Sequence, residues 1–268
     1  MPSLPGVHLE GPFISPERLG AQPPFTQLAT LEKLRELLAL DVVRLLTLAP
    51  ELAGALEAAE FLAQRGIRVS IGHTKATYEQ AKALIAKASR HSPTSFTHLY
   101  NAMGSLSSRD PGPLGAALAS PESYAEIIYD THHVHQGSFL SAYHAKQDKL
   151  IMVSDAIRAT GMKEGLSELG GQKVMVKDGM ARLLQADGTV GSLAGSVLSL
   201  EVALKNAVEA GLTLAEASHL LSRNPARYMG LKDRGTIALH KRADLVVLDR
   251  DLKLVEVIVG GHSLDQAS

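Results

Sequence analysis

The chain has 268 residues, a net charge of −1, 4% aromatic residues and no cysteine. That length suits one large domain, or one large and one small, and the absence of cysteine excludes disulfides and thiolate-held metals. Near-neutral charge without a basic run leaves no nucleic-acid footprint, and the apolar runs are too short and interrupted for a membrane span or a signal peptide, so a cytoplasmic enzyme is expected.

In chain order, the short apolar run Val7-His8-Leu9-Glu10 is broken at once by Gly11-Pro12, the pattern of a buried strand that delivers a carboxylate at its end. A Pro- and Gly-rich loop follows from Phe13 to Phe25. Thr30 to Leu40 is predicted as a helix capped by Thr30, with Leu31, Leu34, Leu37 and Leu38 on one face. Val42–Leu48 is predicted as a strand and Leu52–Arg65 as a helix. Ile67–Ile71 is the strand leading to His73, Thr77–Ser89 a helix, and Thr94–His98 a strand. A loop through Asn101, Met103 and Arg109 carries the turn Asp110-Pro111-Gly112-Pro113. Ala125–Tyr129 is a strand running into Asp130-Thr131-His132-His133-Val134-His135, Gly137–Lys146 a helix, and Leu150–Val153 a strand leading to Asp155.

Alternating strands and helices call for a parallel sheet with helices outside. Six such strands are read, near residues 7, 45, 69, 96, 127 and 152, two short of a (β/α)8 barrel. Beyond them, Lys173–Val176 and Ala181–Leu184 flank Lys177-Asp178-Gly179, a hairpin with an Asp-Gly turn. Helices are predicted over Ser196–Ala210 and Thr213–Leu221, the second ending before Asn224-Pro225. Ala243–Asp249 and Leu252–Val259 form two β runs of a small β-domain. The expected division is a barrel over 1–235 and strands of the small domain over 236–268.

Glu10, His73, His98 and Asp155 each close a separate strand. A single strand-end histidine is more often a hydrogen-bonded core residue than a ligand. Four acidic or imidazole groups at the carboxyl ends of parallel strands instead describe a metal-dependent hydrolase, whose active site lies at that face of the barrel. His132-His133-Val134-His135 admits a second metal reading, because His-x-His on a strand puts two imidazoles on one face. The leading reading is His133 as a substrate contact. His91, His144, His219, His240 and His262 are given no role.

The stretches His8-Leu9-Glu10-Gly11-Pro12, Leu46-Thr47-Leu48-Ala49-Pro50-Glu51, Gly72-His73-Thr74, Thr97-His98-Leu99-Tyr100-Asn101-Ala102-Met103, Ser154-Asp155-Ala156 and Leu193-Ala194-Gly195-Ser196 run in order along the chain. Through them the sequence resembles the N-acetylglucosamine-6-phosphate deacetylases of the amidohydrolase superfamily. The resemblance implies a divalent metal held by Glu10, His73 and His98, with zinc foremost, iron, cobalt or manganese as alternatives, and a second ion left open. It implies Asp155 as the general base and acid, and His133 beside the scissile acetamide. Asn101, the backbone of Ala102, and Arg109 would hold the sugar phosphate, the arginine reaching in from the other subunit of a homodimer. Leu193 and Ala194 would line the substrate side.

The sequence departs from that family in three places. The family carries a longer amino-terminal part, so an open barrel short of about two strands is expected, and a truncated, non-catalytic or partner-dependent product stays open beside the enzyme. An amidohydrolase of another N-acyl or cyclic amide is the alternative among enzymes. Gln22 stands where the family usually has a substrate-side histidine. His240 replaces a glycine usual in the closing β-domain turn.

Overall fold

The computed structural model describes residues 3–264. Its first half alternates strand and helix: β1 (Val7–Glu10), α1 (Leu31–Leu38), β2 (Val43–Leu48), α2 (Ala55–Ala63), β3 (Arg68–Ile71), α3 (Tyr78–Ala88), β4 (Thr94–Phe96), α4 (Gly112–Leu118), β5 (Ala125–Ile127), α5 (Gln136–Lys146) and β6 (Leu150–Met152). Local chemistry sets the ends. Thr30 caps α1 by accepting from Lys33 N, and Thr77 and Gln80 form a reciprocal capping box on α3.

β1 to β4 pair in parallel in sequence order, as do β5 and β6. Backbone bonds from Phe96 N to Tyr124 O and from Tyr124 N to Thr94 O carry the sheet from β4 to β5. All six expected barrel strands are present. Their outward side chains, among them Leu46, Leu48, Val69, Ile71, Phe96 and Ile127, pack with Leu62, Leu84 and Phe139 of the helices in the main apolar core. The inward side chains next to them are polar: Thr47 bonds His8 and Thr97, and Ser70 bonds Thr97. Among the described residues β1 and β6 do not pair, and a cavity of about 340 Å³ opens between them, lined by His8, Glu10, Glu126 and Met152. The barrel is open, as expected.

After β6, a four-stranded antiparallel sheet of β7 (Gly165–Leu169), β8 (Gln172–Lys177), β9 (Met180–Leu184) and β10 (Val190–Leu193) runs in the order β10-β9-β8-β7. Its central hairpin turns at Asp178 and Gly179, both with positive φ (52° and 72°), as the Asp-Gly signal requires. The flanking β7 and β10 were not anticipated. Then come α6 (Leu200–Glu209), α7 (Leu214–Ser218) and α8 (Asn224–Met229), and a last sheet of β11 (Leu245–Leu248), β12 (Leu254–Val259) and β13 (His262–Leu264). No helix among the described residues is long and apolar enough to cross a membrane.

Two expectations are corrected. The loop around Pro111-Gly112-Pro113 opens α4, because a proline in the first turn of a helix gives up only an amide that would lack a partner anyway. The helix expected to stop before Asn224-Pro225 continues through it. A wider π turn over His219–Arg223 links α7 to α8, and such a turn relieves the clash and missing donor that Pro225 would impose on a regular helix. Asn224 is buried there and donates to Leu150 O at 2.8 Å.

Candidate active site

The strands deliver their terminal side chains to one point. Glu10 Oε1 lies 2.8 Å from His73 Nε2, Glu10 Oε2 lies 3.6 Å from His98 Nε2, and the two imidazole nitrogens are 3.0 Å apart. One atom from each of the three residues falls within a 4.8 Å set able to hold a metal ion, the single such group among the described residues. His73 Nδ1 donates to Arg18 O at 2.8 Å, which fixes the tautomer and leaves the Nε2 lone pair facing the cluster. His98 Nδ1 is buried without a hydrogen-bond partner among the described residues. A carboxylate and two inward imidazole nitrogens suit a divalent cation such as zinc. Glu51 supports this edge, accepting from Thr74 Oγ1 at 2.5 Å and from Lys75 N at 2.8 Å just beyond His73.

Backbone strain marks the same rim. His73, His98, Ala102, Thr131 and Asp155 all take positive φ, between 30° and 70°, immediately beyond the strands. Non-glycine residues rarely adopt that conformation, and such outliers gather where function over-determines the backbone. Asp155 is held through Ser196, whose N–H donates to Asp155 O at 2.8 Å and whose carbonyl accepts from Ile157 N at 3.0 Å. Gly195 makes this approach possible: its φ is 58°, and a Cβ there would lie 2.5 Å from Ile157 Cγ2.

The electrostatics divide the acids. Burial alone would raise the Glu10 carboxyl, but the hydrogen bonds and charges of His73 and His98 hold it well below the usual range. Asp155 is open to the cleft, yet the surrounding protein displaces much of its bulk water and raises its pKa. His98 opposes that rise and Glu10 adds to it. Glu126, buried on β5, is pushed up to about 7 by burial, with His98 pulling it down and Glu10 and Asp155 pushing it up. Its place as an acidic residue behind the cluster was not anticipated, because Ala125-Glu126-Ile127 looks like any strand with one polar face.

A second cavity, of about 560 Å³, opens on this point. Glu10, His73, His98, Asp155, His133, Gln22, Asn101, Ala102 and Leu193 all line it, so nine of the expected site residues share one space. Gln22 donates to Glu10 Oε1 at 2.8 Å, a direct tie to the cluster. His133 Nδ1 is 2.7 Å from Asp130 Oδ2, and Asp130 Oδ1 also accepts from the backbone of His132 and His133. Asp130 thereby orients His133; the Asp-x-x-His spacing was the available signal. Arg182, also not anticipated, lines the same cavity.

Two expectations fall away from this cavity. Ala194 turns into a small apolar cluster with Val174, Val176 and Ala181, its N–H bonded to Ala181 O, while Ser192, Leu193 and Gly195 line the cavity. Arg109, expected to serve the other subunit's site, is exposed on the loop before α4 and lines neither cavity of its own chain. The His-x-His pair fails as a metal face because residues 131–135 bend rather than extend: His133 bonds Asp130, and His135 caps α5 by accepting from Gly137 N.

The amidohydrolase family profile matches residues 3–264. This chain belongs to the amidohydrolase family. The amidohydrolase is 36% identical over 263 residues to the N-acetylgalactosamine-6-phosphate deacetylase of Escherichia coli O157:H7, covering 96% of this chain and 67% of that one. It is 36% identical over 265 residues to the N-acetylglucosamine-6-phosphate deacetylase of Bacillus subtilis (strain 168), covering 97% and 65%. Its fold is similar to that of the Mycobacterium smegmatis N-acetyl-D-glucosamine-6-phosphate deacetylase, solved as a D267A mutant with N-acetyl-D-glucosamine-6-phosphate: TM-score 0.90, 35% identity, 96% of this chain and 68% of that one. The chain spans about two thirds of the length of these relatives.

Proposed function

We propose that this amidohydrolase hydrolyses the acetamide of N-acetyl-D-glucosamine 6-phosphate, giving D-glucosamine 6-phosphate and acetate. The observation that carries the reading is the single cavity that Glu10, His73, His98, Asp155, His133, Asn101 and Ala102 all line. One divalent ion, zinc foremost, with iron, cobalt or manganese able to replace it, would be held by Glu10, His73 and His98. Bound there, it would supply Lewis acidity and a water acidic enough to react near neutral pH.

The chain's own groups do the rest. Asp155 takes a proton from water as the water oxygen bonds to the acetyl carbon, then returns that proton to nitrogen as the C–N bond breaks. Its raised pKa suits both halves of that transfer. His133 has Nδ1 committed to Asp130, so Nε2 is the nitrogen that meets the carbonyl oxygen as charge builds on it. Asn101 spends its amide N–H groups on the carbonyls of His98 and Leu99, leaving its oxygen for a sugar hydroxyl.

Arg109, exposed and outside its own cavity, supports a homodimer in which each arginine serves the other subunit's substrate. The mostly exposed or half-buried β11–β13 sheet supports assigning residues 236–268 to a small β-domain and 1–235 to the barrel, with residues 1–2 and 265–268 outside the described part. The similarity to the E. coli relative favours a second substrate, the C4 epimer N-acetylgalactosamine 6-phosphate. Acetate release from both phosphorylated sugars and from unphosphorylated N-acetylglucosamine tests the reading. Release confined to the phosphorylated sugars supports it, and the faster epimer names the substrate. Equal release from the unphosphorylated sugar contradicts it.

A further inference from the structure

Arg182 has no assigned part in any of this chemistry, yet it is the one lysine or arginine among the described residues that lines the catalytic cavity. It stands on β9, paired with Met175 of β8 and Leu193 of β10. Successive strand residues face opposite sides. Ala181 is buried in the small apolar cluster, so Arg182 faces the other way, toward the cavity that Leu193 also lines.

Local bonds hold the guanidinium without neutralising it. Nη1 donates to Gly191 O at 3.2 Å and Nη2 to Met180 Sδ at 3.7 Å. Arg182 makes no ion pair among the described residues. An arginine offers five N–H donors in a planar fork that matches phosphate, and a weakly partnered one beside a cavity is primed for an anion. The cavity needs such a charge. Glu10 and Asp155 line it as acids, and Arg109 lies outside it, so a phosphate monoester entering the site meets no other arginine or lysine of the same chain among the described residues.

We propose that Arg182 holds the substrate's phosphate monoester from within the same chain, making the β8–β9 hairpin part of the substrate site. This inference rests on the sugar-phosphate reading above, but its test does not need turnover. Inorganic phosphate binding, followed by calorimetry on zinc-loaded protein, is compared between the parent, Arg182→Gln and Arg182→Lys, each checked for folding by its thermal transition. Removing a charge-assisted fork weakens an anion by roughly 10- to 100-fold. Arg182→Gln is expected to lose that much phosphate affinity, with Arg182→Lys in between because it keeps charge without the fork. If Arg182→Gln fails to fold, weakened binding in Arg182→Lys alone supports the inference.

In turnover, Arg182→Gln should raise KM for the phosphorylated sugar by a similar factor and leave kcat nearly unchanged. A parent that binds no phosphate, or variants that bind it as tightly as the parent, would overturn the inference. A parent that binds phosphate through Arg182 but releases no acetate would overturn the deacetylase reading instead.

Discussion

His73 and His98 meet through Nε2 atoms 3.0 Å apart, their rings edge to face at 77°. Two neutral imidazoles that turn lone pairs on each other at that distance repel unless a proton or a cation lies between them. Glu10, 2.8 Å from one and 3.6 Å from the other, favours a positive charge there. Burial would lower the His98 pKa, but the hydrogen bond and charge of Glu10 raise it to about 9. Without metal, the proton on His98 fills the role that a divalent ion fills when bound.

Zinc should therefore stabilise the fold. At a free concentration of about 100 times its Kd, the gain is about 2.7 kcal/mol, which raises Tm by roughly 5–10 °C. His98→Gln should lose most of this shift in thermal denaturation. An undiminished shift in that variant would move the metal elsewhere.

Asp155→Asn removes the proton carrier but leaves Glu10, His73 and His98. It should keep the zinc-induced Tm shift and lose about 10²- to 10⁴-fold in kcat. Turnover at the parent's rate would take the base role away from Asp155.

Glu126 makes stability depend on pH. Its folded pKa, about 7, lies above the ordinary 4.5, so the folded state holds this proton more tightly than the unfolded state does. The sign is a loss of stability as pH rises from about 4.5 to about 7, with no further change above that. In metal-free protein, Glu126→Gln should match the parent near pH 4 and exceed it by about 1–3 kcal/mol at pH 8. Denaturant melts at the two pH values check this, and a pH-independent difference would contradict it.

His240 is exposed with φ of 65°, a left-handed conformation that glycine adopts freely. The strain relieved by His240→Gly, about 1–2 kcal/mol, outweighs the extra unfolded-state entropy of glycine by a few tenths to 1 kcal/mol. The variant should melt slightly higher with unchanged kcat. A lower Tm would show that the His240 side chain makes a stabilising contact.

The sequence displayed the barrel strands because buried parallel strands are short continuous apolar runs, and His73, His98 and Asp155 stand just past their ends. It displayed the Asp178-Gly179 turn because that pair carries the positive φ of a tight hairpin. α4 stayed hidden behind Gly112-Pro113, residues that open a helix as readily as they make a loop. The helix across Asn224-Pro225 depends on a π turn that no local pattern announces.

The site residues followed the same division. The candidate metal cluster was legible from the strand-end positions of its residues, and the resemblance separated Glu10, His73 and His98 from Asp155. Glu126, Asp130 and Arg182 were not, since their roles depend on which strand lies beside them and on which face of the sheet each side chain points to. Ala194 shows the converse: it sits in a stretch expected on the substrate side, but just past the end of β10 its side chain turns into the small core.

The most direct test is acetate release from N-acetylglucosamine 6-phosphate by chelator-treated protein as zinc is added back. The account predicts negligible release without metal, and release that rises in proportion to zinc and saturates at one equivalent per chain. Steady release from metal-free protein, or none from folded protein with its zinc bound, would contradict it.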